Sequence, residues 1–211
     1  MLSAQDLRFR YAPGADELFG GLTHAFAEGA ITAVTGQSGR GKSTLLYVLG
    51  LMLRPQVGHV HIHGRSVSGL PDDQRSRLRA RHIGFVFQDA VLDSGRTILD
   101  AVREPALYAG RSRRDATATA LNLLVTMGVD HRADHLPGQI SGGQAQRVAV
   151  CRALVNDPAV VLADEPTGNL DRDNAAGVLE ALRTTAGDGR TIVIATHDPF
   201  VVDRADAVLQ L

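Results

Sequence analysis

Hydrophobic and polar residues alternate over Leu7-Arg8-Phe9-Arg10-Tyr11 and again from Leu22 to Phe26, with breaks at Pro13-Gly14 and Glu28-Gly29. This pattern predicts short, half-solvated antiparallel strands. Ile31-Thr32-Ala33-Val34-Thr35 is denser in β-branched residues and runs into a glycine-rich stretch, Gly36 to Gly41, and apolar positions then recur at helical spacing from Ser43 through Leu49. The order there is strand, loop, helix. His59-Val60-His61-Ile62-His63-Gly64 alternates as an exposed hairpin strand does, placing its three histidines on one face, and Ile83-Gly84-Phe85-Val86-Phe87 reads as a buried strand ending at Gln88. Helical patterns cover Thr97 to Met127 and Gly142 to Val155. Val160-Val161-Leu162-Ala163 and Thr191 to Thr196 are apolar runs separated by a helix-like Asn174 to Thr185, the arrangement of a parallel α/β sheet. The pattern as a whole predicts one α/β unit over 1–211, with an antiparallel apron near the N-terminus and a helical insertion at about 89–157.

Composition narrows the function classes. With 44% hydrophobic and 21% charged residues over 211 positions, the chain can bury a sizeable core and is not of the disordered class. Its net charge of -1 gives no basic field of the kind that marks nucleic-acid binders. No stretch approaches the ~20 apolar residues of a membrane span, and Met1 to Asp6 lacks a secretory pattern, so a cytoplasmic protein that forms no pore is expected. The single cysteine, Cys151, excludes an internal disulfide and is expected to be a small core residue. Among the 22 basic residues only Lys42 is a lysine, which singles out a position suited to a compact ammonium.

Lys42 lies in Gly36-Gln37-Ser38-Gly39-Arg40-Gly41-Lys42-Ser43, a G-x-x-x-x-G-K-[ST] run placed after a buried strand and opening a helix. Glycines let backbone N–H groups curl inward at phosphate oxygens, and the helix N-terminus adds partial positive charge. Lys42 can then reach the β and γ phosphates, Ser43 can offer its hydroxyl to Mg²⁺, and Thr44 can help hold the loop or the phosphates. Asp164 and Glu165 follow the strand Val160 to Ala163 at its carboxyl end, where open α/β sheets bind ligands. Alternation along an extended segment would aim Asp164 at the metal through water and Glu165 at the γ phosphate and an attacking water. Alone, two such acids read as turn formers or caps; beside a phosphate loop they read as phosphoryl-transfer chemistry.

Taken in chain order, the motifs resemble those of the ATP-binding subunits of ABC transporters. Gly36 to Ser43 is similar to the Walker A loop, Gln88 to the Q-loop glutamine, and Ser141-Gly142-Gly143-Gln144 to the signature motif. Leu162 to Glu165 is similar to the end of Walker B, Asn169-Leu170-Asp171 to the D-loop, and His197 to the switch histidine. Phe85-Val86-Phe87-Gln88 and Ala163 to Asp171 look most like the subgroup of lipoprotein-release, macrolide-export and cell-division ATPases. The resemblance implies an α/β P-loop NTPase cassette with a RecA-like core, an N-terminal antiparallel β subdomain and a helical subdomain. It implies ATP and Mg²⁺ as ligands. The nucleotide would be held by Tyr11, stacked on adenine, and by Gly36, Gln37, Ser38, Gly39, Arg40, Gly41, Lys42, Ser43 and Thr44. The metal would be held by Ser43, Gln88 and Asp164, the last through water, with Glu165, His197 and Gln88 as catalytic residues. Ser141, Gly142, Gly143, Gln144 and Asp171 would act in trans.

The family's assembly is a head-to-tail homodimer or pseudo-dimer of such subunits on a multi-pass transmembrane permease. For this subgroup the resemblance implies export or extraction of a lipid-linked or amphipathic substrate, from a peripheral position on the inner face of the cell membrane. Nucleic acid is not expected. Two other readings stay open: a transmembrane signalling module that transports nothing, and a soluble ATPase of DNA or ribosomes. The last is disfavoured because only 52 residues separate Gln88 from Ser141 and there is one phosphate loop. The sequence departs from the family at Ile140, in place of a leucine, and in the polar Asp89 to Thr97 after Gln88, where the membrane partner would touch. His59, His61 and His63 read as a solvated face rather than a metal site, and Arg75, Arg77, Arg79 and Arg81 as a solvated basic run with anionic lipid the next choice.

Overall fold

The apolar runs line up in one parallel sheet. A computed structural model describes residues 1–37 and 39–211; Ser38, expected among the nucleotide-binding residues, lies outside the described residues. Strands β3 (Ile31–Thr35), β6 (Ile83–Val86), β7 (Val160–Asp164), β8 (Thr191–Ala195) and β9 (Ala207–Gln210) pair in the order β6-β7-β8-β3-β9. A second, antiparallel sheet carries β1 (Leu2–Phe9), β2 (Leu18–Phe26), β4 (Val57–Ile62) and β5 (Arg65–Ser66) in the order β2-β1-β4-β5.

Alternation along the central strands fills both faces of the parallel sheet. Val160, Leu162, Val193 and Ala195 join one cluster with helix α1 (Lys42–Leu49) and the inner face of the antiparallel sheet, including Leu2, Leu7 and Phe26. Val161, Ala163, Ile192 and Ile194 join another with helices α3 (Ile98–Tyr108), α4 (Arg113–Thr126), α5 (Gly142–Leu154) and α6 (Arg172–Gly187). Strands covered on both faces are apolar at nearly every position, which is why they stood out in the sequence. Cys151 is fully buried in the second cluster, where burial pushes its thiol up to about 12.

Three sequence expectations need correction. The helical stretch at Thr97 to Met127 is two helices: Thr97 caps α3, Gly110 turns the chain at φ +85°, and Ser112 caps α4 through the Asp115 amide. The basic run is not a solvated face but part of helix α2 (Asp72–His82). Arg75 is buried there and bonds Asp72, and Arg79 donates to the Leu51 carbonyl at 2.8 Å, leaving Arg77 and Arg81 outward. Helix α2 has almost no apolar periodicity; acids in its first turn and bases in its last favour it through the helix dipole. Finally, His63 does not share the face of His59 and His61: β4 ends at Ile62, and His63 turns away at φ +49° toward His82.

Strand β9 is short and its polar anchor is a single residue. Asp206 accepts from the Ile31 amide at 2.7 Å and pairs with Arg183, tying the start of β9 to β3 and α6. Partial burial works against its ionisation, but the amide and the guanidinium outweigh it, so its pKa lies below the usual value of 3.8. A carboxylate with a depressed folded-state pKa stabilises above its unfolded pKa, and the contribution disappears as pH falls through the folded value. Asp206→Ala is expected to cost about 1 kcal/mol at pH 7, read from urea melts. The difference from the parent protein should shrink as pH falls below 4.

Candidate active site

The loop between β3 and α1 rises from the carboxyl edge of the parallel sheet. Its glycines make the curl possible: Gly39 and Gly41 have φ of +82° and +93°, and Gly41 is the residue from which α1 starts. Gly36 sits at the loop's base, where a Cβ would press on the Leu211 carbonyl at 2.9 Å. The Lys42 ammonium lies back across the loop and donates to the Gly36 carbonyl at 2.9 Å. A cleft of about 550 Å³ opens over this loop, lined by Tyr11, Leu18, Gly39, Gly41, Lys42, Ser43 and Thr44, and closed on the far side by Gln88 and Glu165. Gly36, Gln37 and Arg40 stand outside that lining, with Arg40 exposed. Tyr11 is 66% exposed, packs edge-on against Phe9, and shares a 2.8 Å hydrogen bond with the Thr44 hydroxyl.

The two carboxylates differ as their chemistry requires, though not through strand alternation. Asp164 ends β7, is buried, and accepts from the Ser43 hydroxyl at 3.0 Å. Burial raises its pKa, partly opposed by the Ser43 hydrogen bond and Lys42, while Glu165 adds to the rise. Glu165 is no longer extended: it takes the left-handed conformation at φ +45°, and that turn, rather than alternation, aims its side chain. A non-glycine residue held there is a strain that the surrounding structure must over-determine. Here the Glu165 amide donates to the Ala195 carbonyl at 2.9 Å, and its carboxylate accepts from Thr196 at 3.2 Å and from His197 Nδ1 at 2.6 Å. An ionised carboxylate only accepts, so the imidazole proton at this contact sits on Nδ1. Glu165 is 14% exposed and His197 76% exposed.

The remaining candidates gather at the start of α5. Ser141 and Gln144 form a reciprocal capping box: the Ser141 hydroxyl accepts from the Gln144 amide, and the Gln144 side chain accepts from the Ser141 amide. Gly143 is buried where a Cβ would collide with the Asn174 side chain, so the absence of one lets α5 and α6 start side by side. Asn174 is in turn held by Asp171, the cap of α6, whose two carboxylate oxygens accept from the Asn174 amide and side chain. None of Ser141, Gly142, Gly143, Gln144 or Asp171 lines the cleft. Gly143→Ala is expected to push the start of α5 off α6 and destabilise the fold by about 1–3 kcal/mol, measured by thermal melting.

Several supporting contacts carried no sequence signal. Gln146, buried on α5, donates to the Phe87 carbonyl at 3.1 Å, joining the signature helix to the residue before Gln88. Asn169 donates to Asp89 at 3.1 Å, joining the segment after Glu165 to the segment after Gln88. Thr196 had only its place before His197 to recommend it. Such partners are set by tertiary approach across many residues, which single-sequence spacing does not encode.

This fold and site define a phosphate-loop ATPase cassette. The chain belongs to the ABC transporter family, whose profile matches residues 19–168, and it binds and hydrolyses ATP. It is 46% identical over 209 residues to the lipoprotein-releasing system ATP-binding protein LolD of Granulibacter bethesdensis, covering 97% of this chain and 91% of that one. It is 44% identical over 191 residues to the macrolide export ATP-binding/permease protein MacB of Chlorobium luteolum, covering 90% of this chain but only 29% of the relative. Among solved structures, the ATP-binding cassette MJ0796, as a post-hydrolysis dimer bound to ADP and Pi, superposes with a TM-score of 0.90 at 32% identity. That match covers 100% of this chain and 94% of the cassette. These relatives fall in the lipoprotein-release and macrolide-export subgroup that the Gln88 and Asp164 segments resemble. Among the described residues no helix is long and apolar enough to cross a membrane.

Proposed function

We propose that two copies of this cassette close head to tail on ATP and thereby drive a separate multi-pass membrane permease that extracts or exports a lipid-linked or amphipathic molecule. The cassettes would sit peripherally on the inner face of the membrane. The observation that carries the reading is the separation of two anion-binding ends in one chain: the cleft over Lys42 contains none of the capped residues at the start of α5. A second copy would supply them, with Ser141, Gly142 and Gly143 offering donors to the γ phosphate, and Gln144 and Asp171 fixing the ends of α5 and α6 that present them.

Within one chain, the loop from Gly36 through Ser43 and Lys42 would cradle the phosphates, and Tyr11 would leave Thr44 to stack on adenine. Ser43, the buried Asp164 and Gln88 are hard oxygen donors suited to Mg²⁺, whose charge would neutralise phosphate oxygens. The Asp164 carboxylate, destabilised by burial, gains from a cation beside it. Glu165, oriented by Thr196 and His197, would accept a hydrogen bond from the attacking water and orient it toward the γ phosphate.

The membrane partner would dock in a groove of about 320 Å³ between α2, β6 and α3, lined by Phe85 and by the exposed Met52 and Tyr108. Phe85 lies three residues before Gln88, and Arg152 pins the Ala90 and Val91 carbonyls beyond it, so movement in the groove reaches the cleft through a short segment. The test is a pull-down from detergent-solubilised membranes and cytosol with a hydrolysis-deficient cassette and Mg-ATP. A co-purifying multi-pass membrane protein is expected; ribosomes, DNA or soluble proteins alone would overturn the proposal.

A further inference from the structure

A cavity of about 690 Å³, apart from the nucleotide cleft, lies between α4, α5 and α6. Three guanidiniums line it. Arg111 is tied to the Val155 carbonyl and Thr119, and Arg190 to Asp157, Asp188 and the Thr185 carbonyl. Arg147, in the second turn of α5, has no hydrogen-bond or ion-pair partner among the described residues, and its Nε is fully buried. Glu180, exposed on the rim, forms no ion pair with it.

The cavity exists beside Arg147 because α6 carries a glycine in its interior. Glycine is disfavoured inside a helix, and Gly177 has no positive φ to justify it. What its missing side chain does is make room: a Cβ there would stand 3.1 Å from Arg147 Nη2. Leu123, Met127 and Leu154 form an apolar stretch of wall, while Asp157 and Asp188 on the lining are already engaged by Arg190. A cavity of this size, with an apolar wall beside one guanidinium that no carboxylate pairs, suits a small molecule. A guanidinium without a partner, its Nε already desolvated, gains most from a planar carboxylate that can accept two of its N–H bonds.

We infer that this cavity is a binding site for a small carboxylic acid with an apolar body, its carboxylate on Arg147 and its body against the walls of α4 and α5. The site is distinct from the nucleotide cleft and shares no residue with it. It touches the same helix that presents Ser141 to Gly143, so occupancy would tie the second turn of α5 to α4.

The probe is 2-naphthoate, titrated into the intact protein by calorimetry. Saturable binding of one naphthoate per chain is expected, weakened at least tenfold in Arg147→Gln. Gly177→Glu provides a tethered carboxylate in place of the ligand's: it should abolish naphthoate binding and raise the melting temperature, because it also removes a helix-interior glycine. If Arg147→Gln fails to fold, Gly177→Glu decides alone. Equal affinity in the parent protein and Arg147→Gln, retained binding in Gly177→Glu, or no saturable binding by the parent protein would each overturn the inference.

Discussion

Replacing Glu165 with Gln is expected to lower ATP turnover by about 10²–10⁴-fold while leaving ATP binding intact. The substitution keeps the shape of the side chain and its oxygen can still accept from Thr196, but it removes the negative charge that His197 and Thr196 now orient. Without that charge a water beside the γ phosphate is no longer polarised. Because binding depends on the loop and Lys42 rather than on Glu165, the variant should accumulate with ATP bound. Phosphate release and retained nucleotide, measured on the same sample, check both halves of the expectation. Parent-level turnover would remove Glu165 from the chemistry.

Lys42→Ala should act in the opposite sense, on affinity first. The Lys42 ammonium is poised over the loop on the Gly36 carbonyl, a contact it can exchange for phosphate oxygens without moving the backbone. Charge-assisted hydrogen bonds to a buried anion contribute more than neutral ones, and the loss is expected to be about 10–100-fold in ATP affinity, read by calorimetry. Lys42→Arg should recover little, because a planar fork does not fit a loop closed around a compact ammonium. Unchanged affinity in Lys42→Ala would refute the cradle.

The parallel sheet and the phosphate loop were legible because burial on two faces and a tight turn each leave a local record. Ile31 to Thr35, Val160 to Ala163 and Thr191 to Ala195 are apolar at nearly every position, and Gly39 and Gly41 stand where positive φ is needed. Helix α2 left no such record: its fold rests on charge placement, on the buried Arg75 bonded to Asp72, and on the half-buried Arg79 bonded to the distant Leu51 carbonyl. Strand β9 was too short to show a period. At the site, residue types were readable but their aim was not. Glu165 is directed by a left-handed backbone rather than by alternation, and partners that hold the site together are matched only in three dimensions: Gln146 with Phe87, and Asn169 with Asp89.

The proposed assembly puts the phosphate loop of one copy against the start of α5 of another, and a cross-link reads that contact directly. Cys151 is buried and its thiol pushed up to about 12, so it stays silent while cysteines placed at the exposed Arg40 and Ser141 react. An Arg40→Cys, Ser141→Cys double variant, oxidised with and without Mg-ATP and run on a non-reducing gel, should form a dimer of doubled mass only with nucleotide, and adding Lys42→Ala should prevent it. A double variant that cross-links equally without nucleotide, or a Glu165→Gln protein with Arg40 and Ser141 intact that remains monomeric by light scattering at saturating Mg-ATP, would contradict ATP-driven closure.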